Sequence, residues 1–472
     1  MKTLTLTAVL LLTGCAAVGP NFQAPTADLP SAYIGGTTRS DANAAETPWW
    51  RAYHDARLTQ YIETGLSQNL SVQLAQEEIV QARAALRQTG INAAVSDTNS
   101  LSRGQSGGTG QSSHLMTNNT LSAGLVLDLF GGLRRERESA AAGVAAAQAN
   151  LQVVRLQWLA SMIAAYANAR YYQQAAALTR LSIHARAQTL TVTQNQYKAG
   201  GATTYEVDQG RAALETARGD LPQYVALYKS NTYAIAKLLN RPAAPILAEM
   251  NRHPHQLHAP GKVSSGVPAD LLRNRPDIRY QQALLHEAVA KIGVDDAAML
   301  PSLSLSGTVT DKAGVSSWFF GPQISLPLLT HGLLSAQRDA QISAAKQAEL
   351  SWRSTVTNAV SDVQVGLSNL HQYKIRAAAL ENSASSYSSA LAQERQNYQS
   401  GAITLVDLLT VDLDATTAQI NAASAVNDLA LEWATLQIAT GAGAQVVGSN
   451  PIPASQLTAV QSSRKASSKV SK

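Results

Sequence analysis

The chain of 472 residues is short of the features that mark most enzymes and secreted domains. It has one cysteine, Cys15, so no internal disulfide can form. After Cys15 no apolar run reaches the ~18 residues that a membrane-spanning helix needs. Charged residues make up only 15% and aromatics only 5%. Ala, Gln, Ser and Leu fill the space instead, as in long helices packed at close range. The net charge of +5 is mild, and Arg464, Lys465, Lys469 and Lys472 near the C-terminus carry part of it. No Lys/Arg stripe is interleaved with aromatics, so no nucleic-acid partner is expected. Phosphate-loop, Gly-x-Ser-x-Gly and His-Glu-x-x-His patterns are missing, and Gly108-Thr-Gly-Gln-Ser has no Lys. The chain therefore reads as neither an enzyme nor a cofactor carrier.

What is present begins at the N-terminus. Residues 1–14 have a positive start (Lys2) and a short apolar run from Leu4 to Leu12, the form of a signal peptide. The run ends Leu12-Thr13-Gly14-Cys15, a bacterial lipobox. Cys15 is then the processed, acylated N-terminus, and two or three acyl chains anchor stably where one would not. Ala rather than Asp at position 16 favours the outer membrane. This lipid is the only non-protein group expected.

The body is a repeat, which has to be found before the fold can be judged. Tyr197-Lys-Ala-Gly200-Gly-Ala-Thr-Thr-Tyr-Glu206 returns as Tyr398-Gln-Ser-Gly401-Ala-Ile-Thr-Leu-Val-Asp407. In each copy Gly follows Tyr by three residues and a carboxylate follows Gly by six. Gly leaves a helix through the left-handed conformation, Thr204 or Thr404 caps the next helix, and the acid complements its positive end. Each copy is thus a helix hairpin tip, about 198–204 and about 399–404. The same order of elements surrounds both. An acylated arm covers 15–56. The first repeat (57–240) runs helix, two strands (about 93–130), long helix, tip, helix. The second (268–440) runs helix, two strands (about 300–329), long helix, tip, helix. The helix seams are Val72, Ala75, Ile79, Ala82, Leu86 and then Ile278, Leu285, Ala288, Ile292. Each proline-free long helix has ~65 residues, or roughly 100 Å. Pro222 is expected to kink the first return helix.

Leu121, Ala123, Leu125, Leu127 and Leu129 alternate with smaller or polar residues, a strand of membrane-crossing length. Its partner is placed near 95–103 across a long loop (103–120), although its alternation is poor. In the second half Leu303, Leu305, Gly307 and Val309 share a face. Trp318, Phe320, Ile324, Leu326 and Leu328 share another. A proline-rich linker, 241–267, holds His253, His255 and His258, a spacing that admits a metal-site reading beside the plainer one of a surface tract. Residues 441–472 read as a disordered tail. Four strands cannot close a barrel, and an open edge cannot face lipid, so the strands must close by oligomerising. Two chains would leave little room for a pore, whereas three supply twelve strands.

Several further motifs, in this order, resemble the TolC-like outer membrane factors, and most closely their lipoprotein (NodT-type) branch. They are Cys15-Ala-Ala-Val-Gly-Pro-Asn-Phe, Trp49-Trp50-Arg-Ala-Tyr-His-Asp, Asn69-Leu70, Leu127-Asp-Leu-Phe-Gly-Gly-Leu-Arg134, Arg275-Pro-Asp-Ile278, Leu300-Pro-Ser-Leu-Ser-Leu305 and both tips. The resemblance covers nearly all of the mature chain. It implies a mainly helical homotrimer whose twelve-stranded outer membrane β-barrel continues into a twelve-helix periplasmic α-barrel. It implies a passive conduit for small molecules and drugs. The partners would be outer membrane lipid, a periplasmic adaptor docking at the tips around Gly200, Glu206 and Gly401, and an inner-membrane pump, often of the resistance-nodulation-division class. Asp407 matches an inward carboxylate at the family's periplasmic aperture and Val406 an apolar constriction. The second acid position is Thr410 here, which leaves one carboxylate per chain. The competing reading of Asp407 is a helix-start charge. The competing reading of the whole chain is a surface-anchored trimeric coiled-coil scaffold or adhesin.

Overall fold

A computed structural model describes residues 17–36, 39–41, 43–110, 112–252, 254–261, 265–312 and 314–446. Cys15, His253 and the tail beyond 446 lie outside the described residues. Fourteen elements follow in order: α1 (Ala56–Gln68), α2 (Leu70–Arg87), α3 (Ile91–Ala94), β1 (Val95–Ser106), β2 (His114–Leu127), α4 (Gly132–Lys198), α5 (Thr204–Leu238), α6 (Ala243–Met250), α7 (Leu271–Asn274), α8 (Pro276–Ala298), β3 (Ser302–Lys312), β4 (Val315–Ser325), α9 (His331–Gln399) and α10 (Leu405–Ala439). No described helix is long and apolar enough to cross a membrane.

The chain divides into two compact units. The first draws on residues 1–28, 75–151 and 277–357. It holds one antiparallel sheet in the order β1-β2-β3-β4. Leu125 pairs with Leu305, Ala123 with Gly307 and Leu121 with Val309, and Trp318 and Phe320 continue that face on β4. The opposite face carries Ser122, Ser304, Thr308 and Gln323, as period-2 alternation requires. The expected partner strand is longer than 95–103, and the loop shrinks to 107–113. Alternation was poor because Asp97 and Asn99 of β1 lie opposite Ala123 and Leu121, on the apolar face. An unbroken ladder to β2, not burial, defines this strand, which is exposed along its whole length. β4 ends at Ser325, so Leu326 and Leu328 fall outside it.

The Leu127-Asp-Leu-Phe-Gly-Gly stretch converts strand into helix. Asp128 accepts the Leu133 and Arg134 amides with its two oxygens (3.1 Å each), and Gly131 takes φ +79°. Beside it the arm is tied to α4. Arg135 donates to the Val18 and Gly19 carbonyls and to Asn21 Oδ1, Phe22 stacks on His286 at 4.2 Å, and His286 meets Glu138.

The second unit draws on 29–74, 152–276 and 358–472. Its core gathers Trp49, Trp50, Tyr53, Trp158, Tyr166, Ile235 and Trp433. The Trp49-Trp50 motif is explained by this packing: Trp49 Nε1 donates to Ala442 O and the Tyr53 hydroxyl to Ala430 O. Residues 441–446, expected in the tail, are packed instead: Ala442 is buried in this core and Ala444 beside Ala45 and Leu156. The first helix is two helices, because the Asn69 carboxamide accepts the Ser71 and Val72 amides and so starts α2 afresh. The linker contains a helix, α6, whose Ile246 and Met250 join the core. α5 runs as one helix through Pro222. Arg275 donates to Asp362 Oδ2 and Ala439 O, so it holds α9 and α10, while Pro276 opens α8.

Candidate functional site

Both tips lie in the second unit and form by the same local chemistry. Gly200 and Gly401 adopt φ +78° and +76°, and their amides donate to Tyr197 O and Tyr398 O. One residue later the Gly201 and Ala402 amides reach back to Gln196 O and Asn397 O, as in a Schellman-type helix stop. The next helix begins with a capping box in each case. Thr203 Oγ1 accepts the Glu206 amide, and Glu206 Oε2 accepts the Thr203 amide at 2.7 Å. Thr404 and Asp407 repeat it at 3.3 and 3.1 Å. The first cap is thus Thr203, not Thr204, because the box needs the acid three residues on. The recurring carboxylate is explained by this box in both tips.

Asp407 is consequently an exposed carboxylate tied to its own helix start. The Thr404 hydroxyl and then its amide hold the Asp407 carboxyl below the usual carboxylate range. Val406 is half-exposed, and the exposed Thr410 donates to the Val406 carbonyl. Within one chain these three share the first turns of α10.

A cluster that the sequence reading passed over lies just beyond. Asp412 accepts Arg186 Nε at 2.7 Å on Oδ2 and Arg395 Nη2 at 3.1 Å on Oδ1. Arg186 also donates to Ala213 O, so the cluster joins α4, α5, α9 and α10. The Arg186 and Asp412 side chains are 7% and 6% exposed. The signal was available: Leu405, Leu408, Asp412 and Ala415 form a 3-4-3 seam, and an acid in an apolar seam needs a buried partner.

Of the linker histidines, His255 Nε2 lies 3.1 Å from Asp55 Oδ2, and His258 is exposed. Asp55 also accepts the Leu58 amide and the Tyr166 hydroxyl, so its carboxylate caps α1. Among the described residues no three His, Cys, Asp or Glu side chains are grouped to hold a metal.

The model of the outer membrane efflux protein family matches residues 66–241 and again 267–442. The chain belongs to the outer membrane efflux protein family. Each match covers one repeat. Nodulation protein T of Rhizobium leguminosarum bv. trifolii is 34% identical over 92% of this chain and 96% of its own. The antibiotic efflux pump outer membrane protein ArpC of Pseudomonas putida is 30% identical over 76% of this chain and 78% of its own. The solved outer-membrane channel OprN superposes with a TM-score of 0.80 at 25% identity, over 91% of this chain and 99% of that one. This efflux protein is therefore an outer membrane channel component by family and by fold, and the scaffold or adhesin reading finds no support.

Proposed function

We infer that this efflux protein is the outer membrane subunit of a tripartite efflux system, a passive trimeric conduit through which an adaptor-pump complex exports small molecules. The observation that carries this reading is the sheet. Across β2, β3 and β4 one face is largely apolar and the other largely polar, and both edge strands, β1 and β4, are exposed. Lipid does not tolerate such edges, and three copies joined edge to edge remove them by closing a twelve-stranded barrel.

The sheet then crosses the outer membrane, and the helices form the periplasmic tunnel. Three Asp407 carboxylates, one per chain, ring the mouth with Val406, and Thr410 leaves the ring single. Like charges at a narrow aperture attract cations. The adaptor docks at the tips around Gly200, Glu206 and Gly401, and the pump is of the resistance-nodulation-division class. Acyl chains on Cys15 anchor the arm. Transport itself asks for no reaction chemistry from this chain.

Single-channel conductance of the purified protein in a planar bilayer tests this reading. A low conductance, blocked by divalent cations and raised in Asp407→Ala, is the expected result. Inserted trimers that conduct nothing would overturn the conduit. Unchanged conductance and block in Asp407→Ala would remove Asp407 from the mouth.

A further inference from the structure

Arg395 and Asp412 line a cavity of about 390 Å³ among α4, α9 and α10, with Arg186 on the far side of the Asp412 carboxylate. This is within the size range of small-molecule sites. Two properties of its wall point to a ligand. The first is charge. Two guanidiniums share the Asp412 carboxylate, which is the one acid lining the cavity. Arg186 is buried and also bonded to Ala213 O. Arg395 makes a single polar contact among the described residues, the 3.1 Å bond to Asp412, and its side chain is 41% exposed. The site therefore carries a surplus positive charge on an Arg whose planar fork has unused donors. The second property is shape. Leu178, Leu181 and Leu391 supply an apolar wall beside Arg395, and Gln419 and Ser388 close it with a mutual 2.8 Å bond.

We propose that this cavity binds a small amphiphilic anion, a carboxylate or sulfonate with an apolar body. The acid group pairs with the free side of the Arg395 fork, where a charge-assisted bond is stronger than a neutral one. The apolar body lies against Leu181 and Leu391 and removes the exposed Leu181 from water. Asp412 stays on Arg186, so binding does not need the buried pair to break. The proposal is independent of where Asp407 lies and of which pump is used.

The test is titration calorimetry of the purified full-length protein in non-ionic detergent, with decanoate as the probe and a detergent-only blank. Decanol serves as the uncharged control. Saturable binding of one decanoate per chain is expected, with at least a tenfold loss in Arg395→Gln, a smaller loss in Arg395→Lys and no saturable decanol binding. Leu181→Gln, at an exposed position, is the second variant should Arg395→Gln fold poorly, and it is expected to weaken binding as well. No saturable binding to the wild type would overturn the site. So would decanol binding as tightly as decanoate, or unchanged affinity in well-folded Arg395→Gln or Leu181→Gln.

Discussion

The two tips share one turn and differ in what stands behind it. Their glycines, reach-back bonds and capping boxes match bond for bond. Yet Tyr197 is 49% exposed while its counterpart Tyr398 is 6% exposed. Tyr398 shares a hydrogen bond with Thr193 Oγ1 at 2.7 Å and donates to Gln196 Oε1, and it packs with Leu391, Leu405, Leu408 and Ala415. Five residues past the capping acid, the second tip has the buried Asp412. The first has Arg211, paired at the surface with Asp208. Local chemistry makes the turn twice, and tertiary contacts bury the tyrosine of one tip and leave that of the other exposed.

The sharpest way to break the comparison is at the fifth position. Asp412→Ala strands two guanidiniums, one of them buried, and should cost about 3–5 kcal/mol. Arg211→Ala removes an exposed pair and should stay within about 0.5 kcal/mol. Chemical denaturation of the two variants checks this, and equal losses would mean that the tips are fastened alike. Next in size, Tyr398→Phe leaves the buried Thr193 hydroxyl without that partner and should cost about 1–2 kcal/mol, against almost nothing for Tyr197→Phe. Amide exchange at 398–408 and at 197–207 reads both variants. Thr203→Ala and Thr404→Ala should each cost about 1 kcal/mol, because the capping boxes are equivalent. A clear difference between them, by the same exchange measurement, would show that the boxes are not.

The smallest effect concerns pH. The folded Asp407 carboxyl lies below its unfolded value, so its bonds to Thr404 add stability at pH above that unfolded value. That stability is lost as pH falls through the folded value. Exchange protection at the start of α10 should therefore drop on acidification in the wild type. In Asp407→Asn it should be low throughout and pH-independent in that range.

Much of this was legible in the chain. The tips, the long helices and their order follow from Gly, Thr and acid spacing and from proline-free runs, since each depends on neighbours within a few residues. β1 was legible only as a weak partner: a strand polar on both faces is defined by the ladder to β2, not by its own pattern. The break at Asn69 and the helix in the linker were missed for a related reason. A side-chain cap and a docked apolar face overrode the broader periodicity.

By itself the sequence determined the repeat, the hairpin turns and the strands other than β1. These rest on backbone preferences and on side-chain periods of 2 and 3.5, which are local. Tertiary structure alone decided that the Arg186–Asp412–Arg395 cluster joins four helices, and that Gly441–Val446 packs into the Trp49–Trp433 core. Those outcomes depend on residues hundreds of positions apart arriving at one place. The cost of burying an unpaired charge or a bare backbone group then selects the pairing.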